Sequence, residues 1–331
     1  MIQVSSPENN APHIALIGGG TGSFTLLQEL KDFTPNISAI VNMSDDGGST
    51  GRLRDEHGVL PPGDVRQCLV ALSALSEVRD LFSYRFKEGE LGGHSVGNIL
   101  LTALEIQHGF EKAVEIASKM LNVTGEVIPV TTTKHDLVMQ DGIETVRGES
   151  EIGRRRISSP EARVFLDPPA EASPKAVSAI AKADIVAIAP GNFYGSLLPT
   201  LAVDGIADAL AESRSRKVMI ANLVTKPGQT DGWHVVDYLR NFERYVGSGV
   251  IDTVLYNTAH PSDDLLAKYA EDGEFPVDAN PSGFDGVEAE LIGADLLSGE
   301  IAQQHEVDIK RTLIRHNSRA VGRQLMKLYY S

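Results

Sequence analysis

The sequence predicts a doubly wound α/β fold, in which a mostly parallel sheet carries an α+β insertion in the middle of the chain. Two observations support this prediction. Short runs that are apolar throughout, as in strands buried on both faces of a sheet, alternate with helical patterns. Each run also ends in a segment rich in glycine, asparagine or proline, which is typical of a strand-to-helix loop.

The first half of the chain begins with a predicted strand at residues 13–17 and a run of three glycines. A helix follows, because Phe24, Leu26, Leu27 and Leu30 fall on one helical face. The second strand, at residues 37–43, comes after the interval expected of a βαβ unit.

Three more buried strands are predicted in the second half, at residues 184–189, 217–223 and 252–256. A helix capped by Ser173, with Pro174 at its first position, precedes the first of them. Together with the first half, these strands indicate a Rossmann-like parallel sheet.

The middle of the chain has a different pattern. Residues 125–140 and 142–166 alternate apolar and polar side chains, which predicts antiparallel strands, and residues 149–156 are interpreted as a solvated hairpin or loop. The predicted organisation is a disordered tail at 1–12, a Rossmann-like nucleotide-binding core at 13–83 and 167–331, and an inserted α+β subdomain at 84–166.

Composition excludes several classes of protein. Thirty basic residues against 45 acidic ones give a net charge of -15, which disfavours nucleic acid as a partner. No apolar run is long enough for membrane insertion, and a polar start without a signal pattern predicts a cytoplasmic location. Cys68 is the single cysteine, so no internal disulfide is expected. A homo-oligomer is compatible with the chain.

Five unusual loops each follow a predicted strand. Because parallel strands end at the same edge of a sheet, where ligands bind in such folds, all five are expected to lie at one site. They comprise residues 18–22, 44–51, 190–196, 222–227 and 257–261.

The first of these loops contains Gly18, Gly19, Gly20, Thr21 and Gly22. The glycine spacing is an incomplete dinucleotide fingerprint, and the lysine of a Walker loop is absent. Glycines nevertheless permit close approach of the backbone, and the helix that starts near Gly22 offers free N–H groups to an anion. The alternative is a tight turn without a ligand.

The second loop carries two candidate catalytic residues, Asp45 and Asp46. Acids at this position often reach a ribose hydroxyl, and they can also hold a divalent cation, although both can equally cap a turn. We expect one ligand contact and one local cap. Arg52, Arg54 and Arg66 suit bidentate phosphate binding, but at least one should pair with a nearby acid among Asp55, Glu56 and Asp64.

Residues 93–98 open an apolar helix and include His94 and Asn98. Both side chain types suit ligand contact, whereas a purely structural interpretation has His94 or Ser95 capping the helix and Gly97 allowing close packing. Elsewhere, no nucleophile elbow and no zinc-type Cys or His spacing is present. The sequence therefore favours either a protein that recognises a phosphorylated nucleotide-like ligand or a transferase that moves a group onto such a ligand.

With these residues identified, the chain resembles the YvcK family, also called the gluconeogenesis factor or CofD-like family. The resemblance rests on residues 17–22, 44–54, 60–72, 93–98 and 189–196, whose order and spacing are kept. This family is similar in fold to the 2-phospho-L-lactate transferase of deazaflavin coenzyme biosynthesis. One departure is the run 189–196, which here lacks two hydroxyl side chains usual in the family.

The resemblance implies contacts to the nucleotide or its phosphates from Gly19–Gly22, residues 192–196 and Asn222. It also implies that the two aspartates face the reacting or sugar end and that Arg315 binds ligand. Taken with the loops above, the ligand-binding candidates are Gly18, Gly19, Gly20, Thr21, Gly22, Ser49, Arg52, Arg54, His94, Asn98, Gly191, Asn192, Tyr194, Ser196, Asn222, Lys226 and Arg315.

The function implied by the resemblance is binding of a UDP-sugar. GDP and an NAD-like dinucleotide stay open as alternative nucleotide ligands. A role in growth on gluconeogenic carbon sources and in cell shape goes with UDP-sugar binding. The alternative is a transferase that moves a phospholactyl-type group from a nucleotide donor to a deazaflavin-like acceptor. An NAD-dependent dehydrogenase is disfavoured, because the fingerprint is incomplete and no partner for hydride transfer is evident.

Overall fold

A computed structural model describes residues 11–299 and 313–331 of the chain. Most of the predicted N-terminal tail, and residues 300–312 of the predicted core, therefore lie outside the described residues. Within the described ranges, no helix has the length and apolar character needed to cross a membrane.

The described residues contain ten strands, which divide into a large sheet and a small one. In chain order they are β1 (Ile14–Gly18), β2 (Ile37–Val41), β3 (Glu126–Pro129), β4 (Asp136–Asp141), β5 (Glu144–Arg147), β6 (Arg163–Asp167), β7 (Ile185–Ile188), β8 (Arg216–Ile220), β9 (Thr253–Asn257) and β10 (Glu290–Ala294).

The large sheet has the strand order β3-β2-β1-β7-β8-β9-β10, and every neighbouring pair is parallel. Strand order reverses between β1 and β7, which is the switch point where such sheets bind ligands. All residues of β1, β2 and β7 are buried, as expected for strands covered on both faces. The predicted doubly wound parallel fold is confirmed.

Thirteen α-helices within the described part of the chain connect and cover these strands. They are α1 (Gly20–Leu30), α2 (Gly48–His57), α3 (Gly63–Leu72), α4 (Ser76–Ser83), α5 (Val96–His108), α6 (Phe110–Leu121), α7 (Glu149–Arg154), α8 (Pro174–Lys182), α9 (Leu198–Leu201), α10 (Ile206–Glu212), α11 (Val235–Val246), α12 (Asp263–Glu271) and α13 (Ser318–Tyr330). A π-helical turn at Phe193–Leu197 leads into α9.

The helices pack in two groups around the large sheet. Helix α1 contacts α3 and α13, whereas α10 contacts α8 and α11. The predicted start of α8 is confirmed, because the Ser173 hydroxyl accepts a hydrogen bond from the Ala176 N–H at 3.2 Å and Pro174 is the first helical residue. Such a cap satisfies one of the N–H groups left over at a helix start.

The middle of the chain differs from its prediction in two places. Strand β3 pairs in parallel with β2 at the end of the large sheet, so the antiparallel assignment is wrong for this strand. Strands β4, β5 and β6 do form an antiparallel sheet. Residues Glu149–Arg154 form the short helix α7 and not a hairpin or loop. The boundaries of the inserted subdomain stay a prediction.

Candidate functional site

A cavity of about 380 Å³ lies at the carboxyl edge of the sheet, where strand order reverses between β1 and β7. We call it the nucleotide cavity, after the ligand class that the sequence predicts. It brings together three of the five predicted loops and a segment just before α13. Its lining comprises Gly19, Gly20, Thr21, Gly22, Thr25, Glu149, Pro190, Gly191, Asn192, Ser196, Asn222, Leu223, Val224, Ile314, Arg315 and His316.

The glycine loop forms one wall of this cavity, and α1 begins at Gly20, two residues earlier than expected. Gly20 has a φ of 65°, in the left-handed region that favours glycine. Gly22 packs directly on the backbone carbonyl of Pro190, so a side chain there would collide with the β7 loop. The glycines thus bring the first turn of α1 against the opposite wall of the cavity.

The opposite wall is fixed by two asparagines. Asn222 accepts a hydrogen bond from the Gly191 N–H at 3.1 Å, and its Nδ2 donates to the Gly191 carbonyl at 2.9 Å. Asn192 accepts from the Gly195 N–H and donates to Glu149 Oε1, each at 3.3 Å. Both side chains therefore hold the backbone of the β7 loop in place beside the glycine loop.

Arg315 and His316 close the cavity from the C-terminal side. Burial lowers the pKa of His316 to about 4, so this imidazole is neutral at physiological pH. Its Nε2 lies 3.0 Å from the Ala221 carbonyl, to which it donates a hydrogen bond. His316 thus anchors the segment to the end of β8 and places Arg315 at the cavity.

Three candidates from the loops that form the nucleotide cavity do not themselves line it. Tyr194 is only 4% exposed, and its ring packs edge-on against Phe193 and Trp233. Gly18 is the last residue of β1. Lys226 is half-buried outside the lining, and burial lowers its pKa.

Three carboxyl groups, the buried Asp64 and the half-buried Asp45 and Glu149, form an acid cluster beside the cavity. Burial, together with the negative charges of Asp45 and Glu149, raises the pKa of Asp64 to about 8. Burial, reinforced by Asp45 and Asp46, raises the pKa of Glu149 to about 7. The pKa of Asp45 is also raised, mainly by burial. The cluster therefore retains protons at neutral pH, which makes it able to exchange a proton with a ligand.

The two candidate catalytic aspartates have different surroundings. Asp45 accepts a hydrogen bond from the Gly47 N–H at 3.0 Å, which is the expected local cap. Asp46 accepts from the Ser150 N–H at 2.8 Å and so holds the first turn of α7, 104 residues away in sequence. Asp46 is thus a positioning residue for the helix that carries Glu149, and its predicted ligand contact stays a prediction.

A second, larger cavity of about 820 Å³ is lined by three further ligand-binding candidates, Ser49, Arg52 and Asn98. We call it the basic cavity, because Arg52, Arg66, Arg85 and Lys87 line it. The two cavities meet at the acid cluster: Asp45 lines the basic cavity and Glu149 the nucleotide cavity.

Ser49, His94 and Asn98 form a buried network at the basic cavity. The Ser49 hydroxyl lies 2.9 Å from His94 Nδ1 and accepts a hydrogen bond from Asn98 Nδ2 at 3.1 Å. Asn98 Oδ1 accepts from Arg66 Nε at 2.8 Å. Ser95, and not His94, caps α5.

Arg54 lies away from both cavities and donates to Asp136 at 2.7 Å. The expectation that at least one of the three arginines pairs with Asp55, Glu56 or Asp64 is therefore not met by Arg54, whereas Arg66 interacts electrostatically with Asp64. The partner of Arg54 comes from β4, beyond the reach of any local sequence pattern.

Sequence reasoning missed Glu149, Arg85 and Lys87. The acids Glu149 and Glu151 in the first turn of α7 are the one available signal, because acids are favoured at a helix N-terminus. Arg85 and Lys87 lie in the connection between α4 and α5, where no periodicity marks them.

Across residues 11–299 and 313–331, no three His, Cys, Asp or Glu side chains are arranged to hold a metal ion. A divalent cation at the aspartates would therefore need ligands from the bound molecule or from water.

Comparisons with known proteins agree with this fold. The model of the family described as 2-phospho-L-lactate transferase CofD matches residues 14–297. The chain is 39% identical to the gluconeogenesis factor of Bacillus subtilis, over 96% of this chain and 98% of the relative. It is also 39% identical to a putative gluconeogenesis factor of Nostoc sp., over 96% and 69%.

A crystal structure of a Bacillus halodurans protein superposes with a TM-score of 0.88 at 37% identity, covering 96% of this chain and 100% of that one. Since the family model and these relatives span most of the chain, it belongs to the gluconeogenesis factor family and carries a CofD-like domain.

Proposed function

We propose that the protein binds a nucleotide sugar, specifically a UDP-sugar, in the nucleotide cavity. One observation carries the proposal: the first turn of α1 and the Asn222-fixed loop after β7 face each other at the switch point of the sheet. This arrangement suits a nucleoside diphosphate, because backbone N–H groups and the positive end of the helix dipole stabilise its negative charge.

The phosphates would bind at the start of α1. Gly19 provides no side-chain cap for this helix, and the first turn contains no acidic residue. The N–H groups of that turn are therefore available to an anion, apart from the Gly20 N–H, which donates to Asp64. Arg315, across the cavity, adds a positive charge suited to phosphate.

The rest of the ligand has room in an adjoining cavity of about 720 Å³, which shares Asn222, Leu223 and Ile314 with the nucleotide cavity. This second space lies beyond β8 and β9 and is also lined by residues 257–261, the fifth predicted loop. A nucleoside diphosphate with a further group attached fits this extended shape better than a free phosphate does.

The choice of UDP-sugar over GDP or an NAD-like dinucleotide is supported by the family relationship and by the incomplete dinucleotide fingerprint at Gly18–Gly22. The names of the relatives support a role in growth on gluconeogenic carbon sources. A role in cell shape and a cytoplasmic location are part of the same proposal.

Isothermal titration calorimetry with UDP-N-acetylglucosamine, UDP-glucose, GDP-mannose and NADH tests the ligand. We expect binding of a uridine conjugate, weakened in Asn222→Ala and unchanged in Asn241→Ala, whose side chain belongs to α11. Absence of binding to every uridine derivative would overturn the proposal.

Complementation tests the physiological role. A Bacillus subtilis strain that lacks its gluconeogenesis factor should regain growth on a gluconeogenic carbon source when this chain is expressed. Rescue that persists in Asn222→Ala, at equal protein level, would show that the role does not depend on the nucleotide cavity.

A transferase is the second candidate, and the acid cluster is the observation that favours it. A carboxyl group with a pKa of about 7, such as Glu149, suits a general base at neutral pH. An acceptor hydroxyl would attack the phosphorus atom of the group being transferred. The bond from that phosphorus to the departing nucleotide would break, and the hydroxyl proton would pass to the Glu149 carboxylate. Asp45, at the adjoining cavity, would position that hydroxyl.

Turnover of a guanylyl-phospholactate donor with a deazaflavin acceptor tests this candidate. We expect product from the wild-type chain and a loss of about 100-fold or more in kcat in Glu149→Gln, the range found for general bases. Equal turnover in wild type and Glu149→Gln would remove Glu149 from the chemistry, and absence of product would favour binding alone.

A further inference from the structure

The basic cavity is unusual for so acidic a chain, whose net charge is -15. Four cationic side chains line it, Arg52, Arg66, Arg85 and Lys87, against two acids, Asp45 and Asp80. Asp80 lies 3.5 Å from Arg79, and Asp45 accepts hydrogen bonds from Gly47 and Thr50. The charge that this cavity presents to a small molecule is therefore positive.

Arg66 is the most informative residue of the cavity, because it is a buried cation. It is only 8% exposed, and its Nε donates to Asn98 Oδ1 at 2.8 Å. Within residues 11–299 and 313–331, the terminal nitrogens of Arg66 have no hydrogen-bond acceptor, and no carboxylate lies within 4.0 Å of them. Burial and the neighbouring Arg85 lower the pKa of Arg66 to about 10. The charges of Asp64 and Asp45 oppose this lowering, and a bound anion in the cavity would add further counter-charge.

The first turn of α2 adds backbone donors to the same cavity. Gly48 and Ser49 line it, Gly47 provides no side-chain cap, and the first turn of this ten-residue helix contains no acid. The positive end of the helix dipole and its free N–H groups therefore lie beside the guanidinium of Arg66.

Arg52 and Arg85 are held in place by the chain that surrounds the cavity. Arg52 donates to the Gly92 carbonyl at 2.8 Å, and Arg85 donates to the Gly93 carbonyl. In the described chain neither side chain has a carboxylate partner, so each keeps its charge for a ligand. Arginines fixed in this way suit an oxyanion that accepts several hydrogen bonds at once.

We propose that the basic cavity is a second binding site, which takes the phosphate group of a small molecule distinct from the nucleotide ligand. Three arginines and a helix N-terminus match the charge and the several acceptor oxygens of a phosphate better than those of a single carboxylate. The site stands whether or not a nucleotide binds elsewhere, because none of its cations lines the nucleotide cavity.

The position of the cavity relates this second ligand to the first. Asp45 lies at the basic cavity and Glu149 at the nucleotide cavity. Both are close enough to Asp64 for their charges to raise its pKa. A phosphorylated molecule in the basic cavity would therefore lie on the other side of the acid cluster from the nucleotide site.

Calorimetry with pyrophosphate as the probe tests this site, with malonate as the dicarboxylate for comparison. Wild type should bind pyrophosphate more tightly than malonate, and added salt should weaken the binding. Arg66→Met and Arg85→Gln should each reduce affinity by about tenfold or more, as for the loss of a charge-assisted hydrogen bond. Lys182→Gln, at an exposed lysine on α8, is the matched control and should bind like wild type.

Three outcomes would overturn the proposal. The first is absence of pyrophosphate binding at millimolar concentrations, and the second is tighter binding of malonate than of pyrophosphate. The third is pyrophosphate binding that is lost in Asn222→Ala but kept in Arg66→Met, because the probe would then lie in the nucleotide cavity. Because Arg66 is buried, its variant requires a check by circular dichroism. Arg85→Gln, at a more exposed position, decides the question if Arg66→Met does not fold.

Discussion

Asn222 and Gly191 form two hydrogen bonds with each other, one in each direction, between the loop after β8 and the loop after β7. The side-chain amide thus replaces a backbone partner at the point where the two strands have ended. The amide supplies both the donor and the acceptor, whereas a carboxylate of the same size lacks the N–H group.

Asn222→Asp should therefore disturb the wall of the nucleotide cavity with almost no change in side-chain volume. The new carboxylate would face the Gly191 carbonyl, and the loop after β7 would lose its fixed position. We expect an affinity for a uridine nucleotide reduced by about tenfold or more, from the loss of a buried hydrogen bond and the added repulsion. Calorimetry measures the change, and Asn241→Asp on α11 is the matched control. Equal affinities in the two variants would contradict this role of Asn222.

Gly22→Ala should destabilise the fold. The added methyl group would meet the backbone carbonyl of Pro190, which has no free rotation by which to move aside. Overpacking of this kind costs about 1–3 kcal/mol of the free energy of unfolding. Gly191→Ala is the control, because its methyl group would have ordinary contact distance, 3.9 Å, to the Gly19 carbonyl. Urea unfolding compares the two, and a Gly22→Ala variant as stable as Gly191→Ala would contradict the packing seen here.

The sequence predicted the sheet well because its buried strands leave a direct pattern. The runs at residues 13–17 and 184–189 correspond to β1 and β7, which are apolar throughout. Strand β3 was assigned to the wrong sheet, because it lies at the end of the sheet and begins with an exposed residue. An edge strand of this kind has the mixed pattern of an antiparallel one.

The site was predicted only as far as its loops. Loops at the ends of neighbouring parallel strands must converge, which placed Gly20 and Asn222 at one edge. The division into two cavities depends on contacts between distant segments, such as Asp46 with Ser150 and Arg54 with Asp136. No local pattern encodes such pairs, and Glu149 was therefore assigned to a solvated loop.

Asp46→Ala should loosen α7. Its carboxylate accepts the Ser150 N–H, so the variant leaves that donor unpaired and weakens the first turn of a helix of only six residues. We expect faster hydrogen exchange in Glu149–Arg154, measured by mass spectrometry. Asp46→Asn keeps an oxygen acceptor and should exchange more slowly than Asp46→Ala. Unchanged exchange in both variants would show that α7 is held by other contacts.

The acid cluster predicts an unusual dependence of stability on pH. Burial raises the pKa of Asp64 in the folded protein to about 8, whereas an unfolded chain has a pKa of about 3.9 at this side chain. Between these two values the folded protein retains a proton that the unfolded chain has released. The contribution of Asp64 to the free energy of unfolding is therefore fully present below about pH 4 and is lost as pH rises through about 8.

Asp64→Asn should remove this dependence, because the amide is neutral at every pH and still offers an oxygen to the Gly20 N–H. The melting temperature of the variant, relative to wild type, should rise steadily from about pH 4 to about pH 8 and then level off. Differential scanning calorimetry across this range measures the difference. Asp208→Asn, at an exposed acid on α10, is the matched control. A difference between Asp64→Asn and wild type that stays constant with pH, or falls as pH rises, would show that Asp64 is ionised in the folded protein at neutral pH.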